Sequence, residues 1–200
     1  MINTLTKELI NLDNLLNASE QTLTDLLGSK NHLSISINKE EHKYQIIRDP
    51  QALTLHIRKM AMHNANQGSG IYKPFEIRAI VDLEVRLDQV GEEHLNNCHG
   101  VIFLRKVFLN QHNSNQYLNF TDCHFKETVF LGNTGTSKPQ RIHFRKCHIN
   151  KGAVIGATID FVDISSSQLL GRGLSLQGVN AQQIAIRDST VTFQIQNSEL

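Results

Sequence analysis

Three Cys-His dipeptides carry the most reactive side chains of this sequence: Cys98-His99, Cys123-His124 and Cys147-His148. A thiol beside an imidazole has the composition of a transition-metal site or of a nucleophile with its base. The second and third pairs also sit in similar stretches, TDCHFKETVF and RKCHINKGAV. Each chemistry makes a geometric demand. A zinc site needs three or four ligands converging on one point at about 2.0–2.3 Å, and a catalytic thiol needs partial exposure and an oriented base. The elements that hold the pairs decide between these chemistries and a purely structural role.

Beyond residue 96 the apolar residues keep a beat of five. Phe144, Ile149, Val154, Ile159, Ile164, Leu169, Leu174, Val179 and Ile184 follow one another at that step. The period suits neither an α-helix nor a flat strand. It suits a chain that turns a corner every five residues, each side being a short strand with one large residue pointing inward, and such self-similarity marks a repeat architecture. Cys147, Gly152, Ala157, Val162 and Ser167 stand two positions before their centres, and Cys123 and Thr128 do the same before Phe125 and Phe130. Near LLGRG the small-residue slot is taken by Arg172, Gln177 and Gln182. A slip of the frame by two restores the rule, with centres Leu176, Ala181, Ile186 and Val191 and a distorted coil at that point.

This pattern resembles the pentapeptide-repeat proteins. The resemblance implies a right-handed β-helix of roughly square cross-section, an all-β solenoid over residues 96–200. Cys123 and Cys147 would then be inward-pointing small residues stacked about one coil apart, with His124 and His148 facing outward. Neighbours that alternate in and out cannot both reach one ion, so no metal site is expected and the pairs read as scaffold, in keeping with the inertness of buried free cysteine. A solvated surface row of His99, His124 and His148 would titrate near neutrality.

Residues 1–95 follow a different grammar, that of an α+β capping unit. Leu5, Leu9, Leu12, Leu15 and Leu16 recur at helical spacing, and a second helix runs from Ser19 to Gly28. HLSISIN and KYQIIR alternate like the strands of a hairpin around KEEH. Asp49 and Pro50 open a helix through QALTLHIRKMAMHN. Alternation from Phe75 to Leu87 predicts one long strand, or two without a marked turn.

Composition narrows the partners. Twenty basic and nineteen acidic residues leave a net charge of +1, so no global field draws the chain to nucleic acid, and none is expected as a partner. MINTLTKELINLDNLL carries charges within its apolar pattern and lacks a signal-peptide core, and no apolar run reaches membrane-spanning length. Three cysteines cannot all pair, which fits free thiols in a reducing cytoplasm, or export by a system that needs no cleaved signal. NQGSGIY and GRGLSLQG lack the rest of a phosphate-loop or dinucleotide fingerprint, so no cofactor is expected. Asp160 and Asp163 are spaced like surface acids.

Two polar stretches interrupt the beat, NQHNSNQY (110–117) and GNTGTSKPQR (132–141). They lie about one coil apart and should leave the solenoid at the same corner, where insertions often form a binding face. His112, Asn113, Asn115 and Tyr117 recognise ligands by hydrogen bonding. Beside them Lys138, Arg141, Arg145 and Lys146 make a small basic patch suited to a phosphate, an anionic lipid head group or an acidic protein surface.

The leading functional expectation is a protein-interaction module with a protein partner, and the resemblance implies a bacterial effector or a toxin-immunity factor. DNA mimicry would need an acidic rod, and residues 149–200 hold Asp160, Asp163, Asp188 and Glu199 against Lys151, Arg172 and Arg187. The alternative is an enzyme, a hydrolase or transferase, with its site where the α+β unit meets the first coil and His94, Cys98 and His99 as candidates. The last coil could also pair with a second copy to form a homodimer.

Overall fold

The computed structural model describes residues 10–66, 78–86, 98–109, 117–132, 140–156, 159–177 and 181–196. Local signals shape its first part. Strand β1 (Ile10–Asn11) leads into α1 (Leu12–Asn17), where the Asn11 side chain accepts a bond of 2.7 Å from the Asn14 amide. Leu5 and Leu9 lie outside the described residues. Helix α2 (Glu20–Leu27) starts after its N-cap Ser19 and stops at Gly28, whose φ is 40°. Strands β2 (His32–Ile37) and β3 (Glu40–Ile47) pair antiparallel across a turn in which Asn38 and Lys39 both have positive φ. The Asp49 carboxylate accepts from the Ala52 amide at 2.8 Å and opens α3 (Pro50–Asn66).

From residue 78 onward the chain is laid down in parallel rungs of short strands. The first holds β4 (Arg78–Val81) and β5 (Val85–Arg86), so the 75–87 pattern yields two strands. The second holds β6 (Cys98–His99), β7 (Val101–Phe103) and β8 (Val107–Phe108). The third holds β9 (Tyr117–Thr121), β10 (His124–Phe125) and β11 (Val129–Gly132). The fourth holds β12 (Gln140–Arg145), β13 (His148–Ile149) and β14 (Ala153–Gly156). In the fifth, β15 (Ile159–Ser165) is followed by one long strand, β16 (Gln168–Gln177), and in the sixth β17 (Ala181–Arg187) by β18 (Thr190–Gln196).

Equivalent strands stack into three rows. The first row, β6-β9-β12-β15-β17, is a five-stranded sheet. The second (β4, β7, β10, β13 and the starts of β16 and β18) and the third (β5, β8, β11, β14 and the ends of β16 and β18) belong to one thirteen-stranded sheet, which continues through β4 to β3, β2 and β1. Register sets the rung length: Val107 lies opposite Val129, a step of 22, Val129 opposite Ala153, a step of 24, and Phe144 opposite Ile164, a step of 20. Between the first and second rows each of five rungs has one corner residue of positive φ, namely Gly100, Asp122, Lys146, Ser166 and Asp188.

Alternate residues of all three rows share one apolar core, which includes Phe103, Phe120, Phe125, Phe144, Ile155 and Ile164. Parallel in-register strands put like on like: Phe103 stacks on Phe125 with ring centroids 4.9 Å apart, and Phe120 on Phe144 at 5.5 Å. Each such ring contributes about 1.5–3 kcal/mol on burial. Helix α3 adds Leu53, Ile57 and Met60 to the same core and packs on β6. A second cluster forms where α1, α2 and the β2–β3 hairpin cover the outer side of β4 and β7 through Leu15, Leu16, Leu23, Tyr44, Ile80 and Ile102. One rung further on, the buried Lys126 ammonium donates to the carbonyls of Leu16 (3.1 Å) and Ala18 (2.7 Å) at the end of α1.

The beat of five survives only in part. Phe144, Ile149, Ile164, Leu169 and Leu174 are buried. Val154, however, is half-buried between buried Ala153 and Ile155, and Phe130 is half-buried between buried Val129 and Leu131. From the second row to the third the buried residues step by four, from Phe125 to Val129 and from Ile149 to Ala153, so the beat of five falls out of phase there. Phe130 instead stacks on Phe108 at 4.9 Å, and the Arg86 guanidinium lies 4.8 Å from the Phe108 ring. After LLGRG, Leu174 and Leu176 are both buried, Ile184, Ile186 and Val191 pack on the core, and the pairing of β16 with β18 shifts register between Leu169 and Leu174. Ala157 and Val179, and the side chains of Ile159, Asp160 and Ala181, fall outside the described residues.

Candidate functional site

All three cysteines are free and buried. Cys98 pairs with Phe120 in the first row, whereas Cys123 and Cys147 follow the corner in the second. Their column runs Val101, Cys123, Cys147, Ser167, Ser189, and its donors repeat one task. Cys123 Sγ donates to the Cys98 carbonyl (3.5 Å), Cys147 Sγ to that of Phe120 (3.3 Å), Ser167 Oγ to that of Phe144 (3.2 Å) and Ser189 Oγ to that of Ile164 (3.3 Å). Each also reaches the carbonyl two residues earlier in its own rung. Thiol and hydroxyl alike donate to carbonyls that flank the corner, and the carbonyls of Thr121, Arg145, Ser165 and Arg187 accept a backbone amide of the preceding rung as well. The hydrogen bond with the Cys123 thiol, together with burial, holds the Cys98 thiol well above its usual range, and burial does the same for Cys147. Neither has the exposure that a nucleophile needs.

The histidines do not form one row. His99 lies in the first row, half-buried, with Nε2 3.2 Å from Asp122 Oδ2, and this bond holds the Asp122 carboxyl below its usual range. His124 and His148 are in register in the second row, with ring centroids 6.3 Å apart. Burial lowers the His124 imidazole, so it does not titrate as a solvated residue. His94 lies outside the described residues. Among the described residues no group of three or more His, Cys, Asp or Glu is placed to hold a metal ion, and no helix is long and apolar enough to cross a membrane.

Of the expected binding residues, His112, Asn113, Asn115 and Lys138 lie outside the described residues. Tyr117 opens β9, and Arg141 sits opposite it in β12. On the other side the Leu109 amide bonds the Phe130 carbonyl. The segments 110–116 and 133–139 therefore leave neighbouring strands and re-enter neighbouring strands. Arg141 and Arg145 share the outer face of β12, and Lys146 sits at the corner with φ 53°.

That outer face holds a recess of about 510 Å³, lined by Asn119, Thr121, His143, Arg145, Asp163 and Arg187 among others. Its side chains are in register: Asn119, His143 and Asp163 in one line, Thr121, Arg145, Ser165 and Arg187 in the next. Asp163 was expected at the surface but is only 7% exposed, because His143 and Arg187 flank it on the adjacent strands. Its Oδ2 pairs with Arg187 and lies 3.5 Å from His143 Nδ1, while the buried Oδ1 has no hydrogen-bond partner among the described residues. The steps of 24 from Asn119 to His143 and 20 from His143 to Asp163 are the signal that would have grouped them, and they are readable only once the rung length is known.

The chain matches no known family model, no curated protein and no solved structure.

Proposed function

We propose that this chain is a protein-interaction module: a right-handed β-helix of degenerate pentapeptide-repeat type that presents the outer face of its five-stranded sheet and the two segments leading into it, in the manner of a bacterial effector or immunity-type protein. The parallel rungs, stacked at steps of 20 to 24 residues around one apolar core, support the solenoid. The five-residue spacing that suggests the kinship holds from Phe144 to Ile149 and from Ile164 to Leu174. The observation that carries the functional reading is the register of Tyr117 with Arg141, which brings the ends of segments 110–116 and 133–139 onto adjacent strands. Insertions that meet on adjacent strands suit recognition of one partner. The enzyme alternative has less support, because Cys98, its candidate nucleophile, is 1% exposed. The test is affinity capture from a lysate of the source organism, comparing the parent with a variant in which both segments are replaced by Gly-Ser. A partner bound by the parent and lost by the variant is expected. Equal capture by both would move the binding surface elsewhere.

A further inference from the structure

On the same outer face, at the far end of the strands from those segments, Thr121, Arg145, Ser165 and Arg187 stand side by side on four successive strands. We propose that this line is a binding site for a tetrahedral oxyanion of the phosphate type.

Adjacent strands lie about 4.8 Å apart, so the two arginines flank Ser165 at one strand spacing on either side. Both side chains are long enough to reach a group seated over the Ser165 hydroxyl. Arg145 is exposed, and its guanidinium makes no ion pair or hydrogen bond among the described residues. Arg187 is held differently: one amino group is engaged by the buried carboxylate of Asp163, which also faces His143. That anchor fixes the direction of the Arg187 fork and leaves its remaining N–H groups for a ligand. Asp163 thus acts as a positioning residue.

The donor set selects the ligand. A planar carboxylate is satisfied by a single guanidinium fork, whereas donors spread over three or four strands suit an acceptor that projects oxygens in several directions. Thr121, Ser165 and Ser166 add hydroxyl donors around the two guanidinium groups in the recess. Asp163 is already committed to Arg187, and Asp188, also in the lining, is the acid that opposes an anion. One uncommitted cation and one opposing acid make this a weak site for free phosphate. The proposal stands apart from the recognition edge at Tyr117 and Arg141, and either can fail alone.

The purified full chain, labelled on its arginine side chains, is titrated at constant ionic strength with inorganic phosphate, with phosphoserine and with acetate, and the arginine Nε–H resonances are followed by NMR. Saturable shifts at Arg145 and Arg187 are expected, with affinity reduced about tenfold in Arg145→Gln and unchanged in Lys151→Gln. Arg145 is exposed, so a melt matching the parent is expected and removes misfolding as an explanation. Tighter binding of phosphoserine assigns the site to a phosphate ester, and tighter binding of inorganic phosphate assigns it to the free ion. Unsaturable shifts, an equal response in Arg145→Gln, or acetate binding as tightly as phosphate would each overturn the proposal.

Discussion

Gly173 lies so close to Thr192 that a methyl group on its Cα would stand 2.0 Å from the Thr192 carbonyl oxygen. Backbone meets backbone here, and Gly173 has φ 64°, so no side chain can rotate aside to make room. Gly152 repeats the arrangement one rung earlier, its Cβ position being 2.4 Å from the Gly173 carbonyl oxygen. Gly173→Ala should therefore destabilise the fold by about 3 kcal/mol or more, through strain and overpacking together. At Gly156 an added Cβ meets only the Gln177 oxygen at 3.9 Å, so Gly156→Ala should stay within about 1 kcal/mol of the parent. Chemical denaturation of the two variants checks the pair, and equal midpoints would mean that β16 and β18 do not approach as described.

Acid should weaken the fold through the packing of α3. Burial, with a smaller contribution from Lys59, pushes the His56 imidazole down to about 4, against about 6.5 in the unfolded chain. The unfolded chain then binds the proton more readily. Stability is fully present above pH 6.5 and is lost as the pH falls toward 4, by up to about 3 kcal/mol. His124, also lowered by burial, acts in the same direction. Urea unfolding at pH 7.5, 6 and 4.5 should show this slope, and His56→Leu should flatten it. A parallel loss in parent and variant would place the acid sensitivity in other groups.

The donor column makes a prediction about equivalence. Cys147→Ser should be nearly neutral, since Ser167 does the same work one rung on with a hydroxyl. Ser167→Ala should cost about 1–3 kcal/mol, because it leaves the Cys147 amide and the Phe144 carbonyl without their shared partner. Thermal melts of the two variants decide it. If Cys147→Ser is the more damaging, the column is held by sulfur packing and not by hydrogen bonding.

Labelling by a thiol reagent should be slow and alike at Cys98, Cys123 and Cys147, and should quicken together in denaturant, since all three are buried and free. Rapid labelling of Cys98 alone, lost in His99→Ala, would revive the enzyme reading.

Local signals proved the easiest to read from sequence. Ser19, Gly28 and the Asp49-Pro50 pair mark helix ends because caps act within three or four residues, and those ends are where the structure has them. The burial of Cys123 and Cys147 was also legible, from their place two positions before Phe125 and Ile149. Val154 and Phe130 were misread because an apolar residue on the outer side of a rung looks the same in sequence as one inside. Asp163 was invisible for a related reason: its burial depends on His143 and Arg187, which are distant in sequence and come together only through strand register. Arg145 stands out in sequence by its basic neighbours, but its apposition to Ser165 does not.

Unequal rungs have a consequence for descent. Steps of 24, 20 and 22 residues coexist while the strands stay paired, so the rung length varies without loss of the pairing. Such a lineage keeps its ancestry as spacing instead of residue identity, and the spacing itself is free to drift. Two cousins could share this strand pairing and hardly a residue of its sequence.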